Sequence, residues 1–370
     1  MRIELALGAT LLCGIAVAQS HTHSLPAAES LATPAARYSA VDLGAFQARE
    51  ADERPALSAR GKVAAWEVVE QTRVRATLIE PSGTQRIAAS EPSMNSFAFA
   101  ISDDGQAAGI FESQQDIRNS RGFWFDGSVV HELPALGGQY SAARGMTHGG
   151  TVVGNAETST GQIHATVWRN GRATDLGVLP GGDLSRAFAI NAHGQAAGEA
   201  NATVNGKVTA VIWNERGIRP LGLLPDGSYS SVQALNDVGM AVGYADDASG
   251  KAQAVLFEHD QITVLGSLGD DPSTALDIND QRQIVGSSSV HMGLMHMRAF
   301  LWESGHMLQL DQLIEPPGSW QLLSAFRINA AGQVLAFGFF QGRTHLCLLS
   351  PKAHKHSARG STQVNREPER

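Results

Sequence analysis

The sequence is poor in cysteine, since only Cys13 and Cys347 occur among 370 residues. Cys13 lies in an N-terminal segment that we expect to be removed, so the mature chain keeps a single thiol. A single thiol excludes an internal disulfide, and it excludes a zinc site closed by several Cys ligands. Packing and hydrogen bonds must therefore hold the fold together.

Charged residues are also few, at 17% of the chain, and the formal net charge is -8. Nucleic acids and anionic membranes are bound by surfaces that are rich in Lys and Arg. An acidic chain of this composition does not favour such a surface. We therefore expect no nucleic-acid partner and no membrane insertion after processing.

Long apolar runs are missing with one exception, residues 5–18. This run is short for a membrane span. It follows Arg2 and ends in Ala16-Val17-Ala18, the small-x-small pattern of a cleavage site. The pattern predicts a signal peptide over residues 1–18 and hence an extracellular or periplasmic protein, with a membrane anchor as the alternative.

The two ends of the chain lack the patterns of a packed structure. Residues 19–37 are rich in Ala, Ser, His and Pro, and residues 352–370 are polar without apolar periodicity. Both compositions are typical of segments that do not fold on their own. We predict a flexible leader and a disordered tail around one folded body over residues 38–351.

That body contains one phrase repeated seven times, clearest as Ile-Asn-Ala-His-Gly-Gln-Ala-Ala-Gly at residues 190–198. Its last position recurs at steps of 44, 45, 44, 45, 43 and 50 residues. A nearly constant period of this size indicates an array of one supersecondary unit. The last positions are Ala65, Gly109, Gly154, Gly198, Gly243, Gly286 and Ala336.

Each unit reads as four short strands separated by turns. In residues 175–222, turn signals such as Asn191 to Gly194 and Asn205-Gly206 divide short apolar segments. Amphipathic stretches long enough for a helical repeat are missing between these turns. Four antiparallel strands in about 44 residues is the size of one propeller blade. We predict an all-β fold: a seven-bladed β-propeller of four-stranded antiparallel blades.

Two columns of residues support this prediction. A large residue ends the third strand of each unit, where we expect blade-to-blade packing rather than sugar stacking. The Gly that ends most copies of the phrase is expected where a side chain would collide with a neighbouring strand. The large residues are Ile79, Phe125, Trp168, Trp213, Phe257, Trp302 and Leu349.

The seventh unit stops after its third strand, at residues 345–349. The missing fourth strand has a match near the N-terminus, because residues 38–44 resemble the fourth-strand residues 172–177. Pairing the two chain ends in one blade removes two open sheet edges. We therefore predict that the N-terminal strand closes the ring.

Phrases such as His164-Ala165-Thr166-Val167-Trp168 and Arg298-Ala299-Phe300-Leu301-Trp302 resemble the HAF-repeat family of probable extracellular bacterial proteins. The resemblance covers residues 38–351 and implies export and a repeat fold, but no established activity. The chain departs from the family's His-Ala-Phe tripeptide, so the resemblance implies no shared chemistry for that His. The column reads Arg75, Arg121, His164, Thr209, Gln253, Arg298 and His345.

Motifs that carry chemistry are sparse. The sequence has no Gly-x-Ser-x-Gly elbow and no phosphate-binding loop, and its acidic pairs lack the spacing of a Ca²⁺ loop. Residues 291–297, His-Met-Gly-Leu-Met-His-Met, have thioether and imidazole groups that suit Cu(I), but we favour a flexible hairpin tip in which the Met residues are incidental. We predict no catalytic residues, no metal and no cofactor.

Loops that leave a fourth strand and enter the next first strand gather on one face of a propeller, which we call the funnel face. Aromatic and charged loop tips around a central funnel suit the binding of a partner. The longest spacing adds residues 315–320, which we expect to expose Trp320 there. The candidate partner contacts are Asn95, Tyr140, Arg186, Tyr229, Asp271 and Trp320.

Three functions are compatible with these features. The favoured one is a monomeric, exported scaffold that binds a protein or glycan partner without catalysis. The second is an extracytoplasmic hydrolase or lyase that acts on glycans. The third is a periplasmic metal-binding protein that uses Met292, Met295 and His296.

Overall fold

The computed structural model describes residues 37–47, 54–70, 73–80, 83–87, 94–204, 206–269, 272–290 and 296–352. The predicted signal peptide, the leader up to residue 36 and the tail from residue 353 lie outside these ranges, as do Asp271, Met292 and Met295. In the part of the chain that is described, no helix combines the length and the apolar character needed to cross a bilayer.

Seven sheets, one for each copy of the repeated phrase, confirm the predicted seven-bladed propeller. Within a blade, consecutive strands pair antiparallel in chain order. The strands of blades 1 to 3 are β2 (Ala56–Leu57), β3 (Val63–Glu70), β4 (Arg73–Glu80) and β5 (Gly83–Arg86); β6 (Asn95–Ile101), β7 (Ala107–Glu112), β8 (Arg121–Phe125) and β9 (Val130–Leu133); and β10 (Gly137–Met146), β11 (Val152–Thr158), β12 (Ile163–Arg169) and β13 (Arg172–Asp175).

Blades 4 to 6 repeat the same order. Their strands are β14 (Ser185–Ile190), β15 (Ala196–Asn201), β16 (Val208–Asn214) and β17 (Gly217–Gly222); β18 (Ser230–Leu235), β19 (Ala241–Asp246), β20 (Ala252–Glu258) and β21 (Gln261–Gly266); and β22 (Ser273–Ile278), β23 (Ile284–Ser289), β24 (Met297–Glu303) and β25 (His306–Gln309). Among the described residues, short 3-10 helices at Ile117–Asn119 and Leu310–Leu313 lie in connecting segments.

Blade 7 combines the two ends of the described chain. It contains β26 (Ile314–Glu315), β27 (Gln321–Ile328), β28 (Val334–Phe340), β29 (Arg343–Pro351) and the N-terminal β1 (Tyr38–Ala45). β1 pairs antiparallel with β29, with Val41 opposite Leu348. The predicted closure is confirmed, and β26 adds a parallel fifth strand beside β1.

The first strand of each blade is the innermost, because first strands of neighbouring blades contact one another around the axis. The fourth strands are mostly exposed, as in β13 and β17. Because the strands alternate in direction, the fourth-to-first and second-to-third connections share the funnel face. The first-to-second and third-to-fourth turns share the other face, which we call the turn face.

The two predicted columns have the expected packing roles. Trp168 and Trp213 are 1% and 3% exposed, in hydrophobic clusters between neighbouring blades. A Cβ added to Gly198 would lie 1.9 Å from the carbonyl oxygen of Arg186, on the inner strand of the same blade. The same collision, at 1.8 to 2.0 Å, occurs at Gly109, Gly154, Gly243 and Gly286.

Asparagine side chains join neighbouring blades on the turn face. The Nδ2 group of Asn191 donates to the backbone oxygen of Asn236 at 3.1 Å, Asn236 donates likewise to Asn279, and Asn279 to Asn329. Asn329 then donates to the backbone oxygen of Ser58 at 3.1 Å, across the junction of blades 7 and 1. Each bond satisfies a buried carbonyl of the next blade, so the series stabilises the closed ring.

Buried serines make the matching contact near the funnel face. The Oγ of Ser185 accepts a hydrogen bond from the N–H of Ala165 in blade 3 at 2.8 Å and donates to the oxygen of Gly177. The hydroxyl thus satisfies two backbone groups of the preceding blade. The bond from the preceding blade recurs at Ser96, Ser141, Ser230 and Ser273.

Candidate functional site

Polar side chains of the second strands hold the funnel-face loops in place. A carboxylate oxygen of Glu157 accepts from the backbone N–H groups of Gln139 and Tyr140, and Asp246 accepts from those of Ser228 and Tyr229. Backbone N–H groups in exposed loops otherwise bond to water. These bonds therefore order the loops that carry the predicted contact residues.

The same arrangement occurs in blade 4 with an amide in place of the carboxylate. Asn201 accepts from the N–H groups of Asp183 and Leu184 at 3.0 and 2.9 Å, and its Nδ2 group donates to Asp183 Oδ1 at 2.7 Å. A single carboxylate at such a position resembles a catalytic acid. Here the interchange of Glu, Asn and Asp at one repeat position indicates a loop-ordering role instead.

Two of the predicted contacts, Arg186 and Tyr229, meet at the junction of blades 4 and 5. Arg186 Nη1 donates to Glu199 Oε1 at 3.1 Å, and the Tyr229 hydroxyl donates to the other carboxylate oxygen of Glu199. The ring of Tyr244 stacks on Tyr229 with centroids 5.5 Å apart. We call Arg186, Glu199, Tyr229 and Tyr244 the blade 4–5 cluster.

Glu199 is the buried centre of this cluster. Its side chain is 3% exposed, whereas that of Arg186 is 28% exposed. Burial and the negative charge of Glu199 raise the pKa of Tyr229, so its phenol stays protonated and donates to the carboxylate. The result is a fixed set in which one buried carboxylate orients a half-buried guanidinium and two half-buried aromatic rings.

The remaining predicted contacts do not join the cluster. Tyr140 packs against a hydrophobic cluster that is formed mainly by blades 7, 1 and 2. Asn95 is 2% exposed, and its Oδ1 accepts from the N–H of Val74 at 2.9 Å and from the side chain of Gln114. The side chain of Asn95 is therefore used inside the fold, and its contact with a partner stays a prediction. Asp271 lies outside the described residues.

The expectation that Trp320 is exposed is wrong. Trp320 is 7% exposed, and its ring stacks on Phe340 with centroids 4.6 Å apart. The residues before it, including Leu313 and Ile314, fold into the same hydrophobic cluster. The longer spacing before blade 7 therefore adds residues to the hydrophobic core and a short strand, β26, beside β1. It does not form an exposed binding loop.

Glu199 and Tyr244 were not predicted from the sequence, although the residue that follows each of the seven phrases gives a signal for Glu199. Glu199 is the only charged residue at the position that follows the last residue of the phrase. The column reads Trp66, Ile110, Asn155, Glu199, Tyr244, Ser287 and Phe337. A charge in a buried, otherwise uncharged column indicates a specific partner.

A second charged group lies on the inner strands of blades 6 and 7. Asp277 Oδ2 accepts from the backbone N–H of Ile328 at 2.8 Å, next to Arg327. The corresponding residues of blades 2 to 5 are small: Ala100, Gly145, Ala189 and Ala234. Asp277 and Arg327 are both half-buried.

Asp277 is expected to give the stability of the ring a pH dependence. Burial raises its pKa to about 6 although Arg327 opposes the rise, whereas an Asp in an unfolded chain titrates near 3.9. The folded state therefore favours the protonated form. The resulting stabilisation is complete below about pH 4 and is lost by about pH 6, a change of up to about 3 kcal/mol.

Urea denaturation of wild type and Asp277→Asn between pH 4 and 7 measures this effect. The free energy of unfolding of the variant, minus that of wild type, should rise from pH 4 to 6 and then stay level. Taking the difference removes the opposite trend from Asp126 and Asp247, whose pKa values are held at about 2 by hydrogen bonds from His131 and Ser249. A difference that does not change with pH would contradict the assignment.

Two histidines at the same position of the repeat serve as cross-strand partners. His164 Nδ1 lies 2.7 Å from Asp175 Oδ2, and His345 Nδ1 lies 2.8 Å from Asp42 Oδ1. Each pair joins the third and fourth strands of one blade, which explains the His of the repeat. Among the described residues, no three His, Cys, Asp or Glu side chains converge as a metal site would require.

A cleft of about 590 Å³ lies on the turn face of blade 6, beside Trp302. Its charged lining residues are engaged in ion pairs, Arg282 with Glu258 at 2.9 Å and Glu303 with Arg37. The cleft has neither the buried charge nor the aromatic pair of the funnel face. We therefore place the candidate site at the blade 4–5 cluster.

Comparison with known sequences adds no family assignment, because neither a family model nor a curated protein matches the chain. The resemblance to the HAF-repeat family therefore stays a prediction.

Several solved structures have a similar fold. A chain of the mitotic checkpoint complex is 12% identical, with a TM-score of 0.50 over 90% of this chain and 98% of that one. YCF48 bound to D1 peptide is 11% identical, with a TM-score of 0.47 over 90% and 100%. TolB from Acinetobacter baumannii is 11% identical, with a TM-score of 0.44 over 79% of this chain, which spans 64% of TolB.

Proposed function

We propose that this protein is an exported, non-catalytic scaffold that binds a protein partner through its funnel face. The observation that carries the proposal is the blade 4–5 cluster, where Arg186, Tyr229 and Tyr244 surround the buried carboxylate of Glu199. Export rests on the predicted signal peptide.

The composition and rigidity of the cluster support a protein partner. Tyr and Arg are enriched at the energetic centres of protein interfaces. A side chain that is already fixed loses less conformational entropy on binding, and Glu199 fixes both Arg186 and Tyr229 before any partner arrives. The ordered loops around the cluster, held by Asp246 and Asn201, extend the same advantage to the surrounding surface.

The hydrogen bonding of the carboxylates supports binding over glycan hydrolysis. A glycoside hydrolase commonly uses two carboxyl groups that both reach the sugar. Glu199 is enclosed by Arg186 and Tyr229, and Asp246 accepts hydrogen bonds from Ser228 and Tyr229 in the loop before β18. These carboxylates have structural partners that a reaction would have to displace.

The proposal is tested by capture from culture supernatant or periplasm, followed by affinity measurement with the purified partner. The variant Arg186→Gln/Glu199→Gln removes both charges while keeping amide hydrogen bonds, so no buried charge is left alone. Loss of an interface centre costs about 2 kcal/mol or more, so we expect Kd to rise at least about tenfold. The turn-face variant Arg282→Ala should bind like wild type.

Two results would overturn the proposal. One is equal affinity of wild type and the funnel-face double variant for the captured protein. The other is release of reducing sugar from envelope glycan by wild type that disappears in Glu199→Gln, which would establish the enzymatic alternative. Thermal unfolding of each variant shows whether it is folded under the assay conditions.

A further inference from the structure

The funnel face around the blade 4–5 cluster has an excess of negative charge. Its cationic side chains on blades 3 to 5 are Arg186, which pairs with Glu199, and the lysines Lys207 and Lys251. A larger set of carboxylates belongs to the described loops and strand ends of the same surface. Besides Glu199, they are Glu157, Asp175, Asp183, Asp226, Asp246 and Asp247.

These carboxylates differ from those on the opposite side of the ring in their partners. On the turn face, Glu258 lies 2.9 Å from Arg282, and Glu80 lies 2.9 Å from Lys62. On the funnel face of blades 3 to 5, no Lys or Arg of the described residues lies within ion-pair distance of a carboxylate, except at Glu199. The negative charge beside the cluster is therefore not neutralised by the fold.

The fold also does not require this charge. Asp246 orders the loop before β18, and at the same repeat position of blade 4 the uncharged Asn201 orders its loop in the same way. Asp226 is exposed, has a φ of 60°, and makes no side-chain hydrogen bond with the described residues. Asn adopts this backbone conformation as readily as Asp does. Because like charges repel, the folded chain gains no stability from keeping both residues charged.

A cationic protein segment is complementary to this surface. Lys and Arg side chains would form ion pairs with the carboxylates, and aromatic faces such as those of the stacked rings of Tyr229 and Tyr244 also attract cations. Nucleic acid would be repelled. A metal ion does not explain the charge, because among the described residues no three His, Cys, Asp or Glu side chains converge.

We propose that the partner of the funnel face presents a segment rich in Lys or Arg to the blade 4–5 cluster and to Asp183, Asp226 and Asp246 beside it. This inference rests on the proposed function, since it names the chemistry of the partner that the cluster binds. Complementary charges of this kind raise the association rate and discriminate against acidic partners.

Fluorescence anisotropy with a labelled oligolysine peptide tests the proposal, and an oligoglutamate peptide of equal length is the comparison. Wild type should bind oligolysine alone, and its affinity should fall between about 50 mM and about 500 mM NaCl as exposed charges are screened. In Asp226→Asn/Asp246→Asn, we expect the Kd for oligolysine to rise about threefold to tenfold at the lower salt concentration.

The matched control is Asp237→Asn/Asp260→Asn on the turn face, which changes the net charge by the same amount. Asp237 accepts a backbone N–H, as Asp246 does, and Asp260 has a φ of 61°, close to that of Asp226. The control should bind oligolysine with a Kd within about twofold of wild type. Both double variants should keep the Tm of wild type, because the amides retain the hydrogen bonds.

Equal Kd values of the two double variants for oligolysine would overturn the proposal, and so would oligoglutamate binding as tight as that of oligolysine. The chain has a second source of basic residues, since residues 353–370 contain Lys355, Arg359 and Arg366. If deletion of residues 353–370 lowered the Kd for oligolysine at least about tenfold, the tail of this chain would be the occupant, and a separate basic partner would be ruled out.

The captured partner separates this inference from the proposed function. Loss of affinity in Arg186→Gln/Glu199→Gln together with a loss in Asp226→Asn/Asp246→Asn supports both. Loss in the first variant without a change in the second would leave the funnel face as the binding surface and would reject the basic segment.

Discussion

Deletion of residues 38–46 is expected to abolish the cooperative unfolding transition of the whole ring. These residues form β1 and continue to Phe46, and they close blade 7 through pairing with β29. Without them, β29 and β26 each expose an unpaired edge to solvent. Tyr38 and Phe46, which are 3% and 4% exposed, are lost from two hydrophobic clusters at the same time.

The expected size of this effect exceeds what a domain of this kind tolerates. Truncation of one buried aromatic residue costs about 3–5 kcal/mol, and the total stability of a domain is about 5–15 kcal/mol. Circular dichroism during thermal and urea unfolding measures the loss. Addition of a synthetic peptide of residues 35–47 should restore the transition in part, since the rest of blade 7 remains.

Val41→Thr is the matched control for the deletion, because Val41 is 55% exposed although its backbone pairs with Leu348. This substitution should leave the midpoint of unfolding nearly unchanged. If the deletion variant unfolded with the same midpoint and steepness as wild type, closure by the N-terminal strand would not be a source of stability.

Trp213→Ala is expected to lower the free energy of unfolding by about 3–5 kcal/mol. Trp213 is 3% exposed and belongs to the cluster formed by blades 3 and 4, which also includes Val153, Val167 and Val211. The substitution leaves a large cavity between two sheets that cannot collapse without moving whole blades. Urea denaturation at pH 7 measures the loss.

Substitution by Phe separates the packing of the ring from the hydrogen bond of the indole. Trp168 Nε1 donates to the oxygen of Pro134 at 2.9 Å, whereas Trp213 Nε1 has no hydrogen-bond partner among the described residues. Trp168→Phe leaves that carbonyl unsatisfied, so it should cost about 1 kcal/mol more than Trp213→Phe. A much smaller loss of unfolding free energy in Trp213→Ala would contradict the packing role of the large residues that end the third strands.

The fold could be predicted from the sequence because its determinants repeat. Short-range turn chemistry at positions such as Asn191 and Gly194 sets the strand lengths, and repetition at a constant spacing sets the number of blades. Closure was predictable too, because residues 38–44 match a strand that blade 7 otherwise lacks. Each of these inferences uses residues that are close in sequence or related by the repeat period.

The prediction for Trp320 failed because its partners do not follow that period. An insertion that contains Gly and Pro is typical of an exposed loop. The ring of Trp320 nevertheless stacks on Phe340 in the hairpin of β28 and β29. The burial of Asn95 was not foreseen for a related reason. Its partner, the N–H of Val74, belongs to the preceding blade, and no local pattern distinguishes a buried asparagine from an exposed one.

The candidate site was predicted in part. Arg186 and Tyr229 were found because they lie near loops that the topology brings to one face. Glu199, which holds them together, lies 13 residues from one and 30 from the other. Only the three-dimensional arrangement of blades 4 and 5 shows that one carboxylate accepts hydrogen bonds from both side chains.

The sequence alone determined that seven similar sheets form and that their two ends combine, because hydrophobic burial and turn geometry act at every repeat in the same way. The tertiary structure decided where the repeats differ to produce a site. It placed Glu199 between Arg186 and Tyr229, and it placed Asp277 of blade 6 next to Arg327 of blade 7. The physical reason is that charges in a low-dielectric interior are stabilised by neighbours from other blades, and those neighbours are set by the curvature of the ring.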